Sequence, residues 1–187
     1  MNLITAFKRN KGEISGPARS ENRNISIWID GYDDLFSDFD PRPYSVKALS
    51  DDFILECKKA AVVKKNKIEL RFLIPKNRRN YQDEIKIKKR LKEYFHKHFK
   101  EEELEIKKVK REGVVWFVLG ALVMVSAPFL LGLNGFFYKL LMIMMEPAGW
   151  FFFWEGLGKF FIDSKKILPE YEFYKKMAGS EIYFLDY

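Results

Sequence analysis

Four aspartates lie close together in the N-terminal third of the chain, where their carboxylates could bind a divalent metal ion. They are Asp33, Asp34, Asp38 and Asp40, all within eight residues. Clustered carboxylates supply the hard oxygen ligands that Mg²⁺ or Ca²⁺ prefer, and Asp38 and Asp40 are the candidate ligands. A rigid turn is the competing interpretation, because Asp40 precedes Pro41 and Pro43. We favour the turn, since the ligand spacing of a calcium-binding loop is absent.

Glu146 is a carboxylate within a largely apolar stretch. It lies 12 residues after Asn134, which is about 18 Å along a helix and near the middle of a bilayer, where a charge costs at least about 2.5 kcal/mol. Pro147 and Gly149 follow, so the helix could kink there. Three interpretations stay open: a hydrogen bond to the first span, with Ser126 as partner; a proton path, ion path or contact between protomers; or a bend that places Glu146 at the interface.

Other groupings typical of enzymes are absent from the sequence. There is no Ser–His–Asp or Cys–His arrangement and no glycine-rich phosphate loop. His96 and His98 are two apart, the wrong spacing for a shared metal ion on a helix. Cys57 is the only cysteine; it fits a reducing compartment and lies among apolar helix positions that are typical of a core. The sequence therefore predicts no cofactor and favours a non-enzymatic role without excluding an enzyme.

Two long apolar stretches dominate the second half of the chain. Residues 113–138 contain no charge, and residues 140–162 form a second apolar stretch after Lys139. A bilayer core of about 30 Å is crossed by about 20 helical residues, and Asn134-Gly135 is a natural turn between two crossings. We predict a transmembrane helical hairpin over residues 112–162.

Charge predicts the orientation of this hairpin. Residues 58–111 carry a net charge of +12, whereas residues 1–57 carry −3 and residues 112–187 carry −2. The basic residues that flank the apolar stretches are Lys107, Lys108, Lys110, Arg111, Lys159, Lys165 and Lys166. By the positive-inside rule both termini face the cytoplasm, and we expect the inner membrane of a prokaryotic cell. No leader typical of a cleaved signal peptide begins the chain.

The basic residues next to the membrane predict contact with anionic lipid headgroups. Each well-placed cation there contributes about 1 kcal/mol. The candidates are Lys107, Lys108, Lys110, Arg111 and Lys159. A basic helix could also bind nucleic acid, but no RNA or DNA motif accompanies it. We therefore expect the lipid bilayer, and not nucleic acid, to be the partner of this surface.

Alternation and helical spacing predict a small cytoplasmic α/β domain over residues 25–111, preceded by a mobile tail over residues 1–24. Residues 25–30 and 67–74 alternate in hydrophobicity as half-buried strands do. A helix that begins after Ser50 and ends near Lys65 separates them, which favours a parallel crossover. A long charged helix begins at Tyr81 and enters the first span; a short strand over residues 104–106 is the alternative.

Residues 163–187 are expected to return to this domain. A short amphipathic helix is predicted over residues 171–177, and residues 182–185 resemble a final strand. A strand needs a sheet to join, and the cytoplasmic sheet is the one available. The fold class is therefore an α+β membrane protein: a transmembrane helical hairpin with a small cytoplasmic α/β domain, in the order β-α-β-α, whose sheet the C-terminal strand joins.

Three segments resemble an uncharacterised family of small prokaryotic membrane proteins with two spans. They are SDFDPRPYSVKALSDDF at residues 37–53, PAGWFFFWEGL at residues 147–157 and the closing EIYFLDY. The resemblance implies a cytoplasmic α/β portion and two crossings over nearly the whole chain. It implies no activity and no site residue.

These observations leave three functions open. The first is a membrane-anchored interaction module that binds a protein partner or a lipid surface. The second is an oligomeric pore, transport component or membrane-permeabilising effector, in which Glu146 is the functional residue and the partner is a homo-oligomer. The third is a lipid- or nucleotide-directed enzyme that uses Asp38 and Asp40 with a divalent ion. We favour the first, because no catalytic grouping accompanies the hairpin.

Overall fold

A computed structural model describes residues 24–62, 68–130 and 135–187. Nearly all of the predicted tail and Asn134 of the predicted turn lie outside these residues. The helices and strands are β1 (Asn24–Trp28), α1 (Asp51–Val62), β2 (Glu69–Ile74), α2 (Tyr81–Ser126), α3 (Phe136–Gly158), α4 (Ser164–Ala178) and β3 (Glu181–Asp186). A single π-helical turn, Lys159–Asp163, joins α3 to α4, and 3-10 turns occupy Tyr32–Leu35, Lys76–Arg78 and Ala127–Leu130.

The three strands form one parallel sheet in the order β1-β2-β3. Trp28 pairs with Leu73, and Leu73 pairs with Leu185. The predicted parallel pairing of the first two strands and the return of the C-terminal strand are both confirmed. Two strands precede the long helices and the third follows them, so the segment after the helices completes the sheet.

One face of the sheet packs against the helices. The buried strand residues Leu70, Phe72 and Phe184 join a single core with side chains from α1, α2 and α4. Helix residues of this core include Phe53, Cys57, Ile87, Leu91, Phe95, Phe173 and Met177. Cys57 is a core residue, as predicted, and burial raises the pKa of its thiol to about 12. The domain therefore has two layers, with helices on one side of a small sheet.

The long helix α2 connects this domain to the apolar half of the chain. Asn80 caps its N-terminus: the Asn80 side chain accepts a hydrogen bond from the Gln82 backbone N–H at 3.0 Å, as a helix N-cap does. Its 46 residues extend over about 69 Å. The alternative of a strand over residues 104–106 is wrong, because these residues lie inside the helix. The alternation of Leu104, Glu105 and Ile106 covers only three residues, and such a short pattern also fits a helix.

The arm formed by α3 and α4 packs antiparallel to α2. Aromatic pairs along this contact show its direction: Phe99 lies against Tyr171 at 5.5 Å and Phe117 against Phe153 at 4.8 Å between ring centroids. The C-terminal helix is longer than the predicted residues 171–177, since α4 has 15 residues and continues through Pro169. Likewise α3 continues through Pro147 without ending.

The hairpin also forms the connection between two neighbouring strands. β2 leads into α2, and α4 leads into β3, which pairs parallel to β2. Parallel neighbours need a crossover connection, and here that crossover contains both long helices. The apolar hairpin is thus inserted within a β-α-β unit.

Candidate membrane hairpin and partner surface

Two helical segments, Tyr81–Phe129 and Phe136–Ala178, are long and apolar enough to cross a membrane. Their apolar side chains differ from those of a buried core helix, because most of them face outward. Exposed examples are Val115, Leu122, Phe129, Phe136, Phe137 and Ile143. Large exposed apolar surfaces are typical of sites that contact a membrane or another protein. The hairpin therefore has the surface that a bilayer would cover.

Four glycines hold the two apolar helices together; we call them the glycine seam. They are Gly113 and Gly120 on α2 and Gly149 and Gly156 on α3. A Cβ atom on Gly113 would lie 2.9 Å from the Gly156 carbonyl oxygen, and one on Gly156 would overlap the backbone nitrogen of Phe117. Backbone thus contacts backbone. Close approach at small residues is typical of helix packing in membranes.

Glu146 lies on the outside of this hairpin and not in the seam. Its side chain is exposed, and within the described ranges no hydrogen bond or ion pair reaches it. Ser126, its predicted partner, instead donates its hydroxyl to the Val123 carbonyl oxygen at 2.8 Å. No hydrogen bond between Ser126 and Glu146 occurs in the described residues. The helix does not end at Pro147, so Glu146 lies on an exposed face of a continuous α3.

Ion pairs mark the end of the apolar hairpin nearest the α/β domain. Lys159 Nζ lies 3.7 Å from Glu112 Oε2 and 4.0 Å from Glu155 Oε1, and the second pair is the one that the four-residue spacing favours. Lys107, one of the predicted headgroup residues, pairs with Glu103 at 2.8 Å. The other three, Lys108, Lys110 and Arg111, are exposed and form no ion pair among the described residues.

The acidic segment forms a turn around Asp40. The Asp40 carboxylate accepts hydrogen bonds from the Arg42 side chain at 2.7 and 2.8 Å and from the Ala48 backbone N–H at 2.6 Å. These bonds, first of all the one from Arg42, hold the pKa of Asp40 well below its ordinary value. Asp33 pairs with Lys47 at 2.8 Å. The Asp40 carboxylate is therefore engaged within the turn, and no cluster of three metal-ligating side chains occurs in the described part of the chain.

A surface that the sequence does not reveal lies on the other face of the sheet. Trp28, Leu73 and Leu185 are neighbours in register across the three strands, and Trp28 is 65% exposed. Tyr187 packs against the Trp28 ring, with centroids 4.5 Å apart. We call these four residues the open apolar row. The sequence shows that each strand has an apolar residue at an outward position. Only the register of the strands shows that these residues form one surface.

A buried ionic network closes the edge of the sheet at which the strands end. Glu84 is 2% exposed and accepts hydrogen bonds from Arg79 Nε at 2.9 Å and from the Tyr32 hydroxyl at 3.1 Å. Arg79 also contacts Asp186 Oδ1 at 3.3 Å. Burial is the main reason that the pKa of Tyr32 is raised. Each of the four groups has a partner among the others, in the order Tyr32–Glu84–Arg79–Asp186, so the network joins three segments of the chain and serves packing.

Comparison of the chain with family models, with curated protein sequences and with solved structures finds no match. The features that bear on function are therefore the hairpin, the open apolar row and the charges at the end of the hairpin nearest the α/β domain.

Proposed function

We propose that this chain is an integral protein of a prokaryotic inner membrane and that its hairpin holds the α/β domain at the cytoplasmic face, where the domain binds a protein partner. Exposed apolar helices of bilayer length and the small-residue packing of the glycine seam support insertion. The basic residues 107–111 at the base of the hairpin support a cytoplasmic orientation.

The open apolar row is the observation that carries the partner-binding role. All-parallel sheets occur almost only with both faces covered. Here one face is covered by helices, whereas in the described residues the other exposes Trp28 and half-exposes its neighbours. The row presents an exposed tryptophan beside leucines from the neighbouring strands. Tryptophan is enriched in protein–protein interfaces and among the residues that contribute most to binding. A partner that packs an apolar face onto this row would complete the usual three-layer arrangement.

Insertion and orientation are tested with single cysteines. In a background that carries Cys57→Ala, Phe136→Cys at the far end of the hairpin and Lys108→Cys at its base are treated with a membrane-impermeant maleimide. We expect Phe136→Cys to react in intact spheroplasts and Lys108→Cys to react only after permeabilisation. Release of the protein by alkaline carbonate, or equal labelling of both positions in intact spheroplasts, would contradict the proposal.

The partner surface is tested by native mass spectrometry of protein extracted gently from its own membrane. We expect a second protein at fixed stoichiometry in the parent and its loss after Trp28→Asp with Leu185→Asp. Phe39→Asp is the control, because Phe39 is a nearly fully exposed aromatic residue outside the row. Retention of the same partner by all three proteins would show that the row does not bind it.

Glu146 favours a second candidate, an oligomeric pore or transport component. A carboxylate on an outward face of α3, about 15 Å from the start of that helix, would be costly against lipid. A contact between copies, or a polar path between them, removes that cost. Two crossings cannot enclose a conduit alone, so this function requires an oligomer.

The second candidate is tested by proton and ion leak in reconstituted vesicles. Glu146→Gln should change the leak, whereas Glu155→Gln, which alters a carboxylate already paired with Lys159, should leave it unchanged. Equal leak in all three proteins would remove the support for this candidate.

A further inference from the structure

An apolar groove lies between the two spans at the end of the hairpin nearest the α/β domain. It has a volume of about 190 Å³ and is lined by Gly113, Val114, Phe117, Gly156, Leu157, Phe160 and Phe161. No lining residue carries a polar side chain, so the groove offers no hydrogen bond to a polar ligand. Its volume is below the roughly 300–1,000 Å³ that encloses a whole small ligand. It suits part of an elongated apolar chain.

Unpaired basic residues lie at the domain end of this groove, one on each arm. Lys110 is one helical turn before Val114, and its Nζ lies 5.8 Å from the centre of the Phe160 ring. Lys165 is one turn after Phe161. Both are exposed, and neither forms an ion pair within the described residues. Charge that is free on both arms above an apolar groove matches a ligand with an anionic head and an apolar tail.

The level of the groove agrees with this ligand. The pairs of Lys159 with Glu112 and Glu155 mark the end of the apolar hairpin, and the groove begins at Gly113, immediately on its apolar side. In the orientation proposed above, the groove would face the acyl chains of the cytoplasmic leaflet and Lys110 would lie among the headgroups. Basic pockets between spans on this side of a membrane bind anionic lipids.

We propose that this groove is a lipid-binding site: it holds one acyl chain of an anionic phospholipid while Lys110 and Lys165 bind the headgroup phosphate. This rests on the membrane insertion proposed above. The ligand is a lipid and not a protein helix, because the groove is short and is bounded by cations rather than by a continuous apolar face.

Two pairs of variants distinguish binding of the acyl chain in the groove from binding of the headgroup by the lysines. Val114→Trp fills the groove, and Val115→Trp adds the same side chain at the next position, which is exposed but does not line the groove. Lys110→Gln with Lys165→Gln removes the two basic side chains at the domain end of the groove. Lys89→Gln with Lys92→Gln removes the same charge from α2 within the α/β domain. Each protein is delipidated and titrated with phosphatidylglycerol or with phosphatidylcholine, and retained lipid is counted by native mass spectrometry.

We expect one tightly retained phosphatidylglycerol per chain in the parent, none in Val114→Trp and no change in Val115→Trp. The double Lys110/Lys165 variant should bind phosphatidylglycerol about 25-fold more weakly, since each well-placed lysine contributes a factor of about 5. The Lys89/Lys92 control should bind as the parent does.

The assignment is overturned if Val114→Trp retains lipid as the parent does, if phosphatidylcholine binds equally well, or if a second copy of the chain takes the place of the lipid. Release of the parent by alkaline carbonate would instead overturn membrane insertion itself. A carbonate-resistant protein that retains no lipid would leave the proposed function standing and reject the groove as a lipid site.

Discussion

The ring of Phe184 in β3 packs against the ring of Phe72 in β2, with centroids 5.1 Å apart. Tyr32 touches the same Phe184 ring at 5.7 Å, and Phe53 of α1 touches Phe72 at 5.9 Å. The last strand therefore supplies an aromatic residue to the centre of the core. The α/β domain is incomplete until the chain has returned from the hairpin.

Phe184→Ala should lower the free energy of unfolding of the domain by about 3–5 kcal/mol, the usual cost of deleting a buried phenylalanine ring. Tyr183→Ala, the neighbouring residue on the open face, should cost less than about 1 kcal/mol. The rate of maleimide modification of Cys57 measures this, because its buried thiol reacts only when the domain opens. Equal rates for the two variants would show that β3 is not part of the stable core. Deletion of residues 180–187 should make Cys57 fully reactive.

Gly156→Ala should destabilise the hairpin, because the new Cβ overlaps the backbone of Phe117. Overpacking of this kind costs about 1–3 kcal/mol. Gly158→Ala is a matched control on the same helix, since nothing lies within 4 Å of its added Cβ, and the better helix propensity of alanine should leave it unchanged or slightly more stable. Unfolding by SDS in detergent micelles measures both. Identical curves for the two variants would mean that the two apolar helices do not pack at the glycine seam.

Arg79→Met should cost about 3–5 kcal/mol, since it leaves Glu84 buried without its cation. Adding Glu84→Met to this variant should recover much of the loss, because an apolar pair does not carry the desolvation cost. Arg78→Met is the control: its exposed guanidinium donates to the Asp30 carbonyl oxygen, and its loss should cost less than about 1 kcal/mol. Chemical unfolding in detergent gives these values. A double variant that is no more stable than Arg79→Met would argue against pairing of Arg79 with Glu84 as the source of the loss.

Asp40→Asn should lower stability in a manner that depends on pH. Hydrogen bonds from Arg42 and Ala48 hold the pKa of Asp40 below its ordinary value of 3.8. A carboxylate with a depressed pKa in the folded state stabilises the protein above that ordinary value, and this contribution is lost as the pH falls through the folded pKa. The melting temperatures of parent and variant should therefore differ at pH 7 and approach one another as the pH drops below about 4.

Asp38→Asn is the control for this experiment, because no side-chain hydrogen bond or ion pair of Asp38 occurs in the described residues. It should melt as the parent does at every pH. The same assay tests the metal alternative: a rise in melting temperature with Mg²⁺ in the parent that both variants lack would favour a metal site over the turn.

The sequence predicts the long elements well because their periodicity is strong. The start of α2 at Tyr81, the alternation of β2 and the return of β3 all follow from spacing that local chemistry imposes. The length of α4 does not, since residues 164–170 have weak apolar periodicity and include Pro169, which usually indicates a helix end.

The candidate sites were less predictable because they depend on how elements are oriented. Counting residues gives the depth of Glu146 and Ser126 along their helices, but not the direction in which each side chain points, and the Ser126 hydroxyl donates to the Val123 carbonyl oxygen instead. The glycine spacing of seven on each arm is visible in the sequence, yet the seam exists only once the two arms are aligned. The open apolar row likewise requires the register of strands that are more than 100 residues apart in the chain.

The insertion of the hairpin between two paired strands also limits how the chain can be arranged across a bilayer. β2 and β3 are hydrogen-bonded neighbours, so both must lie on the same side of any membrane that the intervening residues enter. The number of crossings between them is therefore even. With a single crossing, β2 and β3 would lie on opposite sides of the membrane and could not form their hydrogen bonds. In the proposed arrangement, a charge change that kept one of the two apolar helices out of the membrane would therefore also prevent β3 from pairing with β2. Insertion of the second helix would then be a condition for folding of the α/β domain.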